Sequence, residues 1–233
     1  MPVVLLHPIG LDSGTWFRMD LSAIDDVVPI DMLGHGVRGT YNDQLTLAAL
    51  ADDVVSQADG KIDLVGFSMG GIVALHVAVR HPERVRSLMV MCTASSDPKM
   101  LEERAALVEK EGVAAVVESM LERWFSEASY LRADDEGVQY ARGRLLADSP
   151  QLIAAMWRAA KDHDVRSQLP DVTCPVTIVA ATDDWAGRDV KAEEMREALP
   201  SARICTINGP HMLQLERPAE CSSLLRDHLA WRL

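Results

Sequence analysis

The pentapeptide Gly66-Phe67-Ser68-Met69-Gly70 sits between a short apolar run, Ile62-Asp63-Leu64-Val65, and a long apolar stretch over 71–79. A G-x-S-x-G sequence in that setting reads as a buried strand that turns tightly into a helix, with the serine at the apex. The constraint is steric. Glycine at 66 and at 70 removes the side chains that would keep strand and helix apart, and the strained turn lifts the serine hydroxyl clear of the backbone. The backbone N–H of Met69 then faces the space in front of that hydroxyl. A chance turn of small residues around a buried serine is the plainer alternative, and the strand before and helix after weigh against it.

Strand-length apolar runs alternate with helical patterns along most of the chain. Val3–Leu6 is a continuous run suited to a strand buried on both faces, and Val27–Ile30 is a weaker one. Thr46 is placed to cap a helix with Leu47, Leu50, Val54 and Val55 on one face. The helix after Ser68 is apolar nearly all round, so it is expected to be buried, and Arg80-His81-Pro82 ends it. Gly70, Ala74 and Ala78 give it a thin side for close packing on a sheet. Val85–Met91 is the next strand. The alternation stops between Asp97 and Leu169. There Val113, Val116, Val117, Met120, Leu121 and Trp124 recur at helical spacing without a following strand. Ser149-Pro150 then opens a second helix through Leu152, Ile153, Met156, Trp157 and Ala160. Strand and helix patterns resume at 175–180, 189–199, Arg203–Ile207 and 218–229. The expected fold is α/β: a mostly parallel central sheet flanked by helices, built from 1–96 and 170–233, with 97–169 as a small helical cap insertion.

A chain of 233 residues accommodates one large domain, or one carrying an insertion. Its formal charge of −12 argues against a nucleic-acid partner, which needs clustered Lys and Arg. Cys92, Cys174, Cys205 and Cys221 lie far apart, with neither C-x-x-C nor metal-ligand spacing, and read as thiols of a reducing compartment. No window approaches the ~18 apolar residues of a membrane span. A cytoplasmic protein without a membrane or metal is the expectation.

A serine hydroxyl is a weak nucleophile unless a base takes its proton and an acid orients the base. On sheets with such a turn the chain order is serine, acid, histidine, each beyond the C-terminal end of a strand. His76 and His81 fall in or at the end of the helix after Ser68, His163 ends the insertion, and His228 lies in the last helix. His211 leaves the last strand through Asn208-Gly209-Pro210 and is the candidate base. The strand before it runs into Asp183-Asp184. Adjacent residues point in different directions, so one of the two is the partner. Asp184 is preferred, with a turn-capping role for the other, and Asp97 is a minor third candidate. The second oxyanion donor beside Met69 comes from His7-Pro8-Ile9-Gly10 after the first strand; proline has no N–H, which leaves Ile9. One such donor stabilises a transition state by about 3 kcal/mol. His7, ahead of the nucleophile, is read as structural. Gly34-His35-Gly36 lacks the spacing of a dinucleotide loop and reads as a turn near the pocket rim.

Taken together, these segments resemble the α/β-hydrolase superfamily over nearly the whole chain. Leu5-Leu6-His7-Pro8-Ile9-Gly10 with Trp16 is similar to its H-G-x-G oxyanion loop, with proline in place of the first glycine. Asp31-Met32-Leu33-Gly34-His35-Gly36 resembles its D-x-x-G-H-G turn. The elbow at 66–71, His81-Pro82-Glu83-Arg84-Val85, the strand from Cys174-Pro175-Val176 to Asp184, and Gly209-Pro210-His211 with Glu216-Arg217-Pro218 complete the match. Ala181 stands where the family usually has a glycine three residues before its acid, and 184–188 lacks the common proline turn. The chain starts at the family's third strand, so a front antiparallel hairpin is expected to be missing. The resemblance is greatest to small-molecule esterases and lactonases, including the 3-oxoadipate enol-lactonase-like group, partly for the lead-in at 164–169.

That resemblance implies a serine hydrolase of a small ester or lactone that works through an acyl-enzyme and needs no cofactor. Trp124, Trp157 and Trp185 are candidates to line the pocket; the alternative for Trp124 and Trp157 is a role in the cap's own core. The same triad also cleaves carbon–carbon bonds of vinylogous diketones in some relatives, and a non-turnover receptor is a further alternative. An exposed sheet edge left by the absent hairpin makes a homodimer a possibility.

Overall fold

The computed structural model describes residues 1–39, 45–96, 101–184, 188–199 and 201–231. In chain order the first half comprises β1 (Val3–Leu6), β2 (Val27–Ile30), α1 (Leu47–Ser56), β3 (Ile62–Phe67), α2 (Met69–Arg80) and β4 (Val85–Met91). The helices α3 (Leu101–Glu111), α4 (Val113–Trp124), α5 (Glu127–Tyr130), α6 (Glu136–Ala147) and α7 (Pro150–Ala160) follow. The chain continues through β5 (Val176–Ala181), α8 (Arg188–Ala198), β6 (Arg203–Ile207), α9 (Leu213–Glu216) and α10 (Pro218–Trp231).

The strands form one six-stranded sheet in the order β2-β1-β3-β4-β5-β6, and every pairing is parallel. β1, β3 and β5 are buried along their whole length, as near-continuous apolar strands must be when helices cover both faces. Asp63 is the exception in β3. Its carboxylate accepts from Ser87 Oγ (2.6 Å) and pairs with Arg86, so the buried charge is compensated. β3 runs two residues beyond its apolar run, bringing Gly66 and Phe67 into register with Val90 and Met91. Thr46 caps α1 by accepting from the Ala49 N–H.

The strand order reverses between β1 and β3: β2 lies to one side, and β4, β5 and β6 to the other. Loops leaving two neighbouring strands in opposite directions open a crevice at their C-terminal ends, the usual ligand position in such sheets. The elbow follows β3 and the His7–Gly10 loop follows β1, so both meet at that crevice.

The helices between β4 and β5 lie over these strand ends. A Cβ added at Gly10, just beyond β1, would sit 2.4 Å from Leu145 Cδ2 on α6. One at Gly34, beyond β2, would sit 2.4 Å from Leu152 Cδ1 on α7. Beyond β6, the Met212 N–H donates to the Trp124 carbonyl (2.9 Å), and Glu216 accepts from the Ser126 N–H (2.9 Å). At the exit of the segment, Ser96 and Asp164 form an antiparallel bridge. His163 donates to the Ala94 carbonyl (2.9 Å) and accepts from His76 on α2 (3.1 Å). Helical periodicity marks α4 and α7, with Ser149 capping α7 and Pro150 in its first turn. α3, ahead of α4, and α6, between α4 and α7, carry only narrow stripes: α3 buries Leu101, Ala105 and Val108, and α6 buries Gly137, Val138, Ala141 and Leu145. Among the described residues no helix is long and apolar enough to cross a membrane.

Candidate active site

Ser68 stands between β3 and α2 with φ 53° and ψ −113°, in the left-handed region that a side chain avoids at a cost of about 1–3 kcal/mol. Its surroundings hold it there. The Ser68 N–H donates to the Met91 carbonyl (2.8 Å), and the Ser68 carbonyl accepts from Thr93 Oγ1 (2.9 Å). The glycines act as the sequence requires. A Cβ at Gly66 would be 2.3 Å from the Gly70 carbonyl oxygen, and one at Gly70 would be 2.3 Å from the Leu6 carbonyl oxygen. Strand, elbow and helix therefore close on one another only without those side chains. Met69 is the first residue of α2, where backbone N–H groups have no intrahelical acceptor and the helix dipole favours negative charge.

His211 Nε2 lies 3.0 Å from Ser68 Oγ, and His211 Nδ1 lies 2.7 Å from Asp184 Oδ2. With the carboxylate accepting from Nδ1–H, the neutral ring presents its Nε2 lone pair to the serine hydroxyl. The His211 and Asp184 side chains are almost wholly buried. Phe67 meets the imidazole edge-on at 5.8 Å between ring centroids, with Trp124 at 6.5 Å on another side. Asp183 points away: it is exposed, it accepts from Thr182 Oγ1 (3.1 Å), and its N–H donates to the Gly209 carbonyl (2.9 Å). That bond and the one from Thr182 N–H to the Ile207 carbonyl (3.0 Å) tie the end of β5 to the end of β6, which brings Asp184 under His211. Asp97 and Trp185 lie outside the described residues.

Ile9 is buried in the loop after β1. His7 holds that loop: its Nδ1 donates to the Pro8 carbonyl (2.7 Å), and its Nε2 accepts from the Met32 N–H (3.0 Å). Burial pushes its pKa down to about 4, so it stays neutral and keeps both bonds. His35 packs 4.8 Å from His7 between ring centroids, and burial first, then the neighbouring His7, lowers it to about 3. Its Nε2 lies 3.4 Å from the Gly10 N–H. The Asp31 carboxylate accepts from the Ser13 N–H (2.7 Å) and the Val37 N–H (2.8 Å). The turn at Gly34-His35-Gly36 is therefore a brace for the neighbouring loop.

Trp157 is buried on α7 and lines a cleft of about 250 Å³ between α3, α4 and α7, with Arg104, Met120 and Arg123. Cys92 was not singled out by the sequence. Its sulfur, an Asp184 oxygen and a His211 nitrogen all lie within 4.8 Å of one another. That is within reach of a thiophilic cation, but the Asp184–His211 hydrogen bond uses the facing lone pairs. Asp12, Tyr140 and Arg144, taken up below, also escaped sequence reasoning; only Asp12, before Ser13-Gly14, has a local signal, that of a helix-capping residue.

A parallel sheet with an order reversal, an elbow serine at that reversal and helices over the strand ends is the architecture of the α/β hydrolases. The chain belongs to the Alpha/beta hydrolase family, whose model matches residues 3–224, and it is an enzyme, a hydrolase. It is 30% identical over 229 residues to 3-oxoadipate enol-lactonase 1 of Acinetobacter baylyi, covering 93% of this chain and 84% of that one. It is 28% identical over 239 residues to the pimeloyl-[acyl-carrier protein] methyl ester esterase of Neisseria meningitidis, covering 97% and 91%. In fold it is similar to the enol-lactonase of Burkholderia xenovorans LB400, with a TM-score of 0.92 at 23% identity over 98% of this chain and 91% of that one.

Proposed function

We propose that this hydrolase cleaves a small carboxylic ester or lactone through an acyl-enzyme on Ser68. His211 Nε2 takes the hydroxyl proton as Ser68 Oγ attacks the carbonyl carbon, and returns it to the leaving oxygen. Asp184 fixes the ring orientation and stabilises the imidazolium that forms. The N–H groups of Met69 and Ile9 receive the developing oxyanion, each contributing about 3 kcal/mol. Water, activated by the same histidine, then releases the acid and regenerates the serine. The helices of 97–169 act as a cap over 1–96 and 170–233, and Trp124 beside His211 forms part of the pocket wall. No cofactor enters these steps.

The observation that carries this reading is the line Asp184 Oδ2–His211 Nδ1, 2.7 Å, and His211 Nε2–Ser68 Oγ, 3.0 Å, ending on a serine at φ 53°. The lactonase and esterase names of the relatives above supply the substrate class. The test is turnover of short p-nitrophenyl esters and a panel of small lactones. The wild type is expected to show a burst of acylation that Ser68→Ala abolishes. Asp184→Asn is expected to lower kcat by about 10⁴-fold, as loss of the orienting acid does elsewhere, and Asp183→Asn by less than about tenfold. A folded wild type with no turnover on any ester or lactone would move the reading to carbon–carbon cleavage of a vinylogous diketone.

A further inference from the structure

We propose that Tyr140 and Arg144, on α6 of the helical segment, are positioning residues for the oxyanion loop, acting through Asp12. The proposal rests on the catalytic roles given above to Ser68 and the Ile9 N–H. Asp12 opens the 3-10 turn Ser13–Trp16 and accepts from the Gly14 N–H (2.9 Å). The Tyr140 hydroxyl donates to Asp12 Oδ1 (2.6 Å). Arg144 Nε lies 2.8 Å from Asp12 Oδ2, a charge contact whose N–H is not aimed at that oxygen.

Asp12 is three residues beyond Ile9, at most about 11 Å of chain, and the residues between have little room to absorb a shift. Gly10 is at φ 67°, with Leu145 of α6 and Ile153 of α7 where its Cβ would be. Leu11 is fully buried. The loop is thus held from two sides. Asp31, His7 and His35 brace it from the sheet side; Tyr140, Arg144 and Leu145 hold it from above. Removing the two polar contacts leaves the upper side of the loop held by the apolar packing at Gly10 alone.

Arg144 also lies between two carboxylates. Its Nη2 reaches Asp148 Oδ1 (3.2 Å) ahead of α7, and Asp148 Oδ2 is buried with no hydrogen-bond partner among the described residues. Tyr140 has no comparable competitor: burial lifts its phenol above the ordinary range, the hydroxyl bond to Asp12 adding to this, so it remains a donor at neutral pH. Movement of α6 is therefore transmitted to the oxyanion loop through one short hydrogen bond and one charge contact to Asp12, beside the Leu145 packing on Gly10.

The experiment compares an oxygen ester with the matching thionoester in Tyr140→Phe, Arg144→Met and Arg144→Lys, each checked by thermal melting. Charge that develops on sulfur draws little from N–H donors, so thionoester turnover reports attack without the oxyanion term. Tyr140→Phe and Arg144→Met are expected to lower kcat on the oxygen ester about tenfold, within the range for a sub-ångström displacement. KM and thionoester kcat should stay within about twofold, with Arg144→Lys intermediate. Asp12→Asn combined with Arg144→Met is expected to be no slower than Arg144→Met alone, because the two act through each other. Equal losses on both substrates, or no loss on either, overturn the positioning role. Ser68→Ala separates the two claims. If it abolishes turnover while the ester-to-thionoester ratio stays fixed in the α6 variants, only the positioning role fails. If it leaves turnover intact, the catalytic reading fails as well.

Discussion

The elbow and the helices above it share one apolar core but differ in what surrounds it. Around Ser68 the packing is close and hydrogen-bonded: β3 is buried along its length, Gly70 touches the β1 backbone with no room for one carbon, and the Ser68 backbone bonds to Met91 and Thr93. The helical segment is laced with ion pairs. Arg158 meets Glu102 and Glu109, and Arg142 meets Glu118. Exposed pairs of that kind contribute about 0–1 kcal/mol each and weaken with salt, whereas each buried methylene contributes about 0.8 kcal/mol whatever the ionic strength. On the function proposed above this is a division of labour: the reacting groups sit on the close-packed sheet, and part of the pocket wall sits on the helices over it.

Gly70→Ala attacks the close-packed side and is expected to have the largest effect of three stability changes. Its methyl would stand 2.3 Å from the Leu6 carbonyl oxygen, and such overpacking against backbone destabilises by about 3 kcal/mol. Calorimetry should show Tm lower by about 6–12 °C, and an unchanged Tm would mean that α2 slides on the sheet.

Asp148→Asn probes the interface between the two regions. Burial, with a smaller push from Asp12, raises the Asp148 carboxyl to about 6 despite Arg144. A carboxyl that binds its proton more tightly in the folded state makes stability fall as pH rises through that window, between about 4 and 6. The variant should therefore be more stable than the wild type above pH ~6, by about 1–2 kcal/mol, and equal to it below pH ~4. Denaturant melts at both ends of the range check this. A gain that persists at low pH would refute the electrostatic cause.

Gly143→Ala tests the helical side and should have the smallest effect. A Cβ there meets nothing within 4 Å, and glycine inside a helix costs about 0.5–1 kcal/mol relative to alanine. A Tm higher by roughly 1–4 °C is expected, opposite in sign to Gly70→Ala.

The elbow is legible in the sequence because it is local: five residues carry the turn, and the runs on either side declare strand and helix. The histidine is legible because Gly209-Pro210 marks the end of a strand. The choice between Asp183 and Asp184 is hard to make from sequence, since adjacent residues differ only in the direction they face, and burial of Asp184 beneath His211 depends on how the ends of β5 and β6 are tied. α6 is hidden by its two glycines and polar residues, and Asp12 is hidden from Tyr140 by 128 positions of chain. Contacts of that range are fixed by packing, which no local pattern encodes. Trp124 and Trp157 carry the same helical signal, yet one lies beside His211 and the other in a cleft among the helices.

The φ of 53° at Ser68 also has a bearing on timing. Backbone strain of that kind is set when the chain folds and persists through every cycle, so an arriving substrate performs no work on the serine's main chain. On the mechanism proposed above, the nucleophile is ready in the resting molecule. On that reading, heat should silence the serine at the latest when the sheet itself comes apart.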